Sequence, residues 1–271
     1  MGRVSTDLDY LYLTICKDLL HAPRVGNTRE LNNVKLVLKD ITKNVVSVRG
    51  ISPSYLFGEM IWYFTGLGST WFISQFSKFW EKISDDGITA NSAYGYLMQN
   101  AFGFNQIEKV IEILSKDPDS RRAKINLNTP HRKVDSTKDE PCTMFLQFMI
   151  RNGKLHCTAV MRSNDIWFGF PYDVAFFIEL QKYIADRLGV AYGEYTHFVC
   201  SLHMYDKDAE KIAAIVENPV SVPVTYNRDN FHQWCEQIAH VIMAMRERND
   251  VNIREYLMKL LDTFDIYKEE V

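Results

Sequence analysis

The sequence has no pair of cysteines spaced as a metal or redox motif. Cys16, Cys142, Cys157, Cys200 and Cys235 are odd in number and include no Cys-x-x-Cys. That argues against a disulfide framework or a zinc site, and for a reducing cytoplasm. No stretch reaches the roughly 18 uninterrupted apolar residues that a membrane span needs. The opening residues, Met1 to Asp7, lack the apolar core of a secretory signal. An excess of basic charge is also missing. The 31 Lys and Arg against 34 Asp and Glu leave a net charge of −3. No general basic field therefore draws nucleic acid, and a phosphate ligand would need locally placed arginines. Internal repeats and low-complexity segments are absent too. The expectation is a cytoplasmic protein with no metal, no membrane contact and no direct nucleic-acid binding.

What is present is an ordinary globular composition. The 271 residues are 46% hydrophobic and 24% charged, enough for a sizeable core in one large domain or two small ones. Aromatics at 13% suit a flat-ring site, although aromatic cores explain them as well. Leu8, Leu11, Ile15 and Leu19 recur at helical spacing and predict a helix over 8–20. Residues 33–48 read as a strand. Ser52-Pro53 reads as an N-cap and first helical residue, opening a helix to about Phe64 that ends at Gly66. Further helices are expected over 71–83, 104–114, 173–188, 209–216, 231–246 and 251–264. Strands are expected over 123–127, 143–151, 154–163 and 194–203. Strands and helices mix without a βαβ repeat, so the fold class is α+β and residues 1–271 read as one domain.

Asn152-Gly153 is the strongest short hairpin signal in the chain. A two-residue turn there pairs residues whose numbers sum to 305. Cys142 then faces Ser163, and Thr143 faces Arg162, provided no bulge intervenes. A guanidinium near a thiol raises its thiolate fraction, which a nucleophilic cysteine needs. Cys157 and Cys200, inside apolar strands, read as core. Arg121-Arg122 opens a strand and reads either as a phosphate contact or as a solvated turn. Arg162-Ser163-Asn164-Asp165 is dense in donors and acceptors after an apolar strand. His203 and Tyr205 share one strand face, and Glu59 is a carboxylate inside an apolar helix that needs a partner.

Several of these segments fall in one order: Arg24-Val25-Gly26, Glu59-Met60-Ile61-Trp62, Ala93-Tyr94-Gly95, Asp117 to Arg122, Pro141-Cys142, Arg162 to Asp165, Gly169 to Asp173, and His203-Met204-Tyr205. In that order they resemble the thymidylate synthase family over about residues 24–205. Two positions depart from it. The family usually follows its nucleophilic Cys with His, where Thr143 stands, and usually has Asn where Asp173 stands. These departures, together with Met161 to Asp165, Phe168-Gly169-Phe170 and Ser201-Leu202-His203, are similar to the cytidylate hydroxymethylase branch.

The resemblance implies a mixed sheet flanked by helices, a homodimer across the sheet, and 5,10-methylenetetrahydrofolate as co-substrate. It implies 5-hydroxymethylation of CMP or dCMP, with Cys142 as nucleophile, Tyr94 as the base position, and Glu59, Asp173 and His203 placing water. Arg24, Arg162, Ser163, Asn164, Asp173, His203 and Tyr205 would bind the nucleotide, with Arg121 and Arg122 reaching the phosphate from the partner subunit. Asp165 and Trp80 would face the folate, and Val271 would end a folate-capping tail. Lys133, in the polar loop, is the candidate for reading the 2′-position. A divergent thymidylate synthase and a non-catalytic nucleotide-binding relative are the alternatives.

Overall fold

The computed structural model describes residues 2–128 and 137–222 and, beyond them, residues 224, 235, 237, 238, 240, 241, 244, 255, 256 and 259. Lys133, Val271 and most of the helices expected over 231–246 and 251–264 lie outside the described residues. In chain order the elements are β1 (Gly2–Ser5), α1 (Leu8–Leu20), β2 (Arg24–Val25), β3 (Thr28–Leu38), α2 (Pro53–Phe64), α3 (Thr70–Ile73), α4 (Phe79–Ile83), α5 (Tyr94–Gln99), α6 (Gln106–Lys116), β4 (Lys124–Asn126), β5 (Thr143–Arg151), β6 (Lys154–Asp165), α7 (Phe170–Leu188), β7 (Ala191–Tyr205) and α8 (Ala209–Glu217). Contacts divide the chain into two compact units. One takes in residues 1–51, 106–126 and 142–223, the other 52–105, 127–141 and 224–271.

The first unit holds a 7-stranded mixed sheet in the order β1-β3-β7-β6-β5-β4, with β2 paired to β3. β7 is central, antiparallel to β3 and parallel to β6. α7 packs on β6 and β7, and α1 packs on β3 and α8. α7 presents Val174, Ala175, Phe177, Ile178 and Leu180 among its buried residues. α1 follows the predicted bounds, with Asp7 as N-cap accepting from Tyr10 N–H at 3.1 Å.

One irregularity positions the site. Strand side chains alternate faces with period two, and here the alternation reverses at one level of the sheet. On β6 the buried residues are Leu155, Cys157, Ala159 and Met161, then Asn164. On β7 they are Tyr195, His197 and Val199, then Leu202 and Met204. On β5 they are Ile150, Phe148 and Leu146, then Thr143. Beside these, on β3, Asn33 takes a left-handed φ of 54°. The reversal turns Ser163, Asp165, His203 and Tyr205 away from the buried face. Bulges re-aim side chains in this way beside functional sites.

The hairpin register holds from Arg151↔Lys154 to Phe145↔Val160 and then slips, because Met144 is an extra residue and Thr143 pairs with Met161. Cys142 therefore lies opposite Arg162, whose N–H donates to Cys142 O at 2.8 Å, and not opposite Ser163. Asn152 and Gly153, at φ 53° and 71°, make the turn as expected.

Other expectations need correction. The strand predicted over 33–48 runs from Thr28 to Leu38. It stops because the Asp40 carboxylate accepts from both the N–H and the hydroxyl of Thr42, at 2.9 and 2.8 Å, closing a turn. The helix predicted over 71–83 is two short helices, α3 and α4. The Ser77 hydroxyl between them accepts from Phe79 N–H at 3.4 Å and restarts the second. Cys200 is half-buried rather than core, since it sits at the reversal. β1, β2 and α5 carry too few residues for periodicity to reveal them.

The second unit contains α2, α3, α4 and α5. The Ser52 hydroxyl caps α2 at Tyr55 N–H. α5 approaches α2 so closely that a Cβ on Gly95 would lie 2.2 Å from the Tyr63 carbonyl oxygen and 2.6 Å from its Cα. The obstacle is backbone and cannot swing aside. Gly95→Ala should therefore destabilise the protein by about 2 kcal/mol or more, read as a lowered urea midpoint at unchanged m-value. A midpoint equal to wild type would contradict this packing.

Candidate active site

In the first unit, the expected nucleotide residues gather where β6 and β7 end and β3 and β5 begin. Cys142 is half-buried and precedes β5. Ser163 and Asp165 on β6 stand beside Ser201 and His203 on β7. The Ser163 hydroxyl lies 3.4 Å from His203 Nδ1, and the His203 and Tyr205 rings meet edge-on at 5.3 Å. Burial first, then the Asp165 carboxyl and the Cys142 thiol, push the Tyr205 phenol above its ordinary pKa. Asp165 accepts from Trp167 N–H at 2.9 Å, and burial raises its pKa against the pull of that bond and of His203. Ser201 donates to Glu30 Oε2 at 2.8 Å, which fixes the β3 side of the cluster.

Arg162 is exposed and lies beside Cys142. Arg24 reaches the same end of the sheet through β2, where its guanidinium lies 3.3 Å from Asp206. Arg121 and Arg122 behave differently. The Arg121 carbonyl is beside Gln147, and Arg122 is 3.7 Å from Asp117. Gln147 is five residues along β5 from Cys142, about 16 Å at strand rise. The structure thus separates this pair from the Cys142 cluster within one chain.

Asp173 lies in the first turn of α7. An acidic residue is favoured there by the helix dipole, yet burial dominates and raises its pKa to about 7. The residue as a whole keeps some accessible surface, while the burial that encloses its carboxyl favours the protonated form of that group. Its Oδ2 accepts from Asn164 Nδ2 at 2.7 Å, a contact that follows from the inward turn of Asn164. Behind Asn164 stand His197 and Tyr195, which sequence reading passed over as part of an apolar strand. Their signal was a histidine at a buried strand position between Tyr195 and Val199.

In the second unit, Glu59, Trp80 and Tyr94 come together. Glu59 is 7% exposed and accepts from the hydroxyls of Tyr55 and Tyr63 at 2.9 and 3.3 Å. Trp80 Nε1–H donates to the Tyr55 oxygen at 3.0 Å. Tyr63 stacks on Tyr94 at 5.3 Å, and Trp62 meets Trp80 edge-on at 4.8 Å. The sequence also supplied this signal, because Tyr55, Glu59 and Tyr63 are spaced i, i+4. Among the described residues, no group of three or more His, Cys, Asp or Glu is placed to hold a metal ion, and no helix is long and apolar enough to cross a membrane.

The chain is similar in structure to thermostable thymidylate synthase A from Bacillus subtilis, with a TM-score of 0.70 over 84% of this chain and 92% of that one at 20% identity. The fold is therefore thymidylate synthase-like, a mixed sheet flanked by helices. The thymidylate synthase family model matches residues 12–259, and the chain belongs to the thymidylate synthase family. It is thus an enzyme of one-carbon transfer, in a family whose co-substrate is methylenetetrahydrofolate. It is 28% identical to a deoxyuridylate hydroxymethyltransferase of Bacillus phage SP01, over 92% of this chain and 70% of that protein. It is 27% identical to a thymidylate synthase of Clostridium beijerinckii, over 74% of this chain and 79% of that protein.

Asp173 gives the site a pH signature. The folded chain holds this proton to about pH 7, whereas an unfolded chain releases it near pH 4. The folded state binds more protons between those values, so this group's contribution to stability falls as pH rises through that window. Asp173→Asn removes the titration. Its stability relative to wild type should improve by about 2 kcal/mol between pH 5 and pH 8 in urea unfolding. A pH-independent difference would mean that burial does not govern this carboxyl.

Proposed function

We propose that the protein is a cytidylate 5-hydroxymethyltransferase, adding a one-carbon group to C5 of CMP or dCMP as a homodimer of a single catalytic domain. The observation that carries this reading is Asp173, a buried carboxyl poised near neutrality beside Asn164. Cytosine presents an acceptor at N3 and a donor amine at C4, whereas uracil presents a donor and an acceptor. A carboxyl accepts from the amine and, when protonated, donates to N3.

Cys142 adds its sulfur to C6, which moves electron density to C5. Methylenetetrahydrofolate supplies the one-carbon unit at C5. In the first unit the fit of the folate rests on Asp165, whose carboxyl retains acceptor capacity beyond its bond to Trp167; Trp80 is carried over from the family resemblance as a further folate contact. Tyr94 takes the C5 proton through water. Glu59, Asp173 and His203 place the water that adds to the one-carbon unit and becomes the new hydroxyl. The C6–sulfur bond then breaks, which restores the ring and frees the Cys142 thiolate, so no hydride leaves the folate and tetrahydrofolate is released unoxidised. Arg24, Arg162 and Ser163 hold the phosphate. The distance of Arg121 and Arg122 from Cys142 along β5 favours their delivery by the partner subunit.

A second reading, deoxyuridylate as substrate, is favoured by the SP01 relative, whose name specifies that nucleotide. Purified protein given CMP, dCMP or dUMP with methylenetetrahydrofolate discriminates them. The cytidylate reading expects a hydroxymethylated cytidylate and no dihydrofolate. Product from dUMP alone overturns it, and dihydrofolate formed with dUMP makes the protein a thymidylate synthase in activity. Cys142→Ser should lower turnover by at least about 10³-fold and abolish release of tritium from C5.

A further inference from the structure

A neutral imidazole has one N–H and one lone pair, so what one nitrogen does dictates the other. His197 is 1% exposed, and burial pushes its pKa down to about 3, which leaves it neutral. Its Nδ1 is 2.8 Å from the Tyr195 hydroxyl, and its Nε2 is 3.0 Å from Asn164 Oδ1. Asn164, 2% exposed, turns its amide nitrogen to Asp173 Oδ2 at 2.7 Å. Four side chains thus form one file from a buried phenol to the carboxyl. The Phe170 ring meets the imidazole edge-on at 5.0 Å and closes one side of it.

Such a file has two self-consistent settings. In the first, every donor points toward Asp173: phenol O–H to Nδ1, Nε2–H to the amide oxygen, amide N–H to Oδ2. In the second, everything is reversed. Asp173 Oδ2 carries a proton toward a flipped amide, and the imidazole donates to the phenol oxygen. The reversed setting leaves the phenol hydrogen with nowhere to go. Tyr195 is 2% exposed, and among the described residues its hydroxyl has no hydrogen-bond partner besides His197. A buried donor without an acceptor keeps its full desolvation penalty, so the first setting prevails.

We propose that Tyr195 and His197 are positioning residues that fix the hydrogen-bond order of Asp173 and so confine a carboxyl that fits either pyrimidine edge to one of them. This rests on the reading that Asp173 meets the base. With Oδ2 committed as acceptor, a proton on the carboxyl sits on Oδ1. The group then offers one donor and one acceptor in fixed sequence. Cytosine and uracil demand opposite sequences. A carboxyl free to move its proton between oxygens satisfies both, and discrimination is lost.

The wild-type enzyme tests the setting directly, because nitrogen NMR of the histidines distinguishes the tautomers. The Nε2–H form is expected for His197, and the Nδ1–H form would overturn the proposal. The second measurement is the ratio of dCMP to dUMP dissociation constants. Tyr195→Phe and His197→Phe should move that ratio toward one by at least about tenfold. His197→Gln, whose amide nitrogen still donates to Asn164, should keep it within about threefold of wild type. A ratio unchanged in folded Tyr195→Phe and His197→Phe sinks the proposal. If His197→Phe does not fold, Tyr195→Phe and the tautomer decide. Asp173→Asn separates the two levels. A shift there without a shift in the Tyr195 and His197 variants leaves the base reading standing and removes the file. No shift in Asp173→Asn removes the base reading itself.

Discussion

Period-two alternation gives each strand two faces, and only a residue placed outside the ladder can exchange them. In this protein β5 lodges Met144 outside the ladder, Asn33 takes a left-handed φ in β3, and β6 and β7 reverse at the same level. Unbroken alternation would send Ser163, Asp165, His203 and Tyr205 inward with Met161 and Val199. Burying those groups without partners would cost several kcal/mol, since each loses its water. Reversal instead buries Leu202 and Met204, each worth roughly 1.5–3 kcal/mol of transfer from water. The same exchange sends Asn164 inward, where its amide lies between His197 and Asp173. The open cluster and the buried file are two consequences of one irregularity.

Parts of this were legible in the residues, each for a local reason. Asn152-Gly153 fixes its turn by backbone preference alone, so the hairpin and seven of its pairs follow from the sequence. Ser52-Pro53 caps α2 for the same kind of reason. The register broke where a residue left the ladder, and its trace is present: Val199 and Leu202 are apolar residues three apart where two is the rule. Contacts that depend on how α7 meets the sheet have no such trace. Nothing in the spacing of Asn164 and Asp173 tells that one amide donates to one carboxyl. The pairing of Glu59 with two tyrosines did have a helical signature, in residues 55, 59 and 63.

Two sources bear on the base, and they differ in what they average. An identity of 28% spread over 92% of this chain reflects the scaffold and the chemistry common to it. Base choice depends on the hydrogen-bond order of a few buried atoms, to which such an average is insensitive. A single exchange between amide and carboxyl reverses a donor while altering the identity by one residue. In the proposed function Asp173 is the residue that sets that order. Its enclosure makes an unpaired donor or acceptor expensive, and expense is what turns a hydrogen bond from a contact into a filter. An exposed carboxylate in the same place would be rescued by water and would select weakly. On the proposed reading, depth is what gives this position its authority over the base.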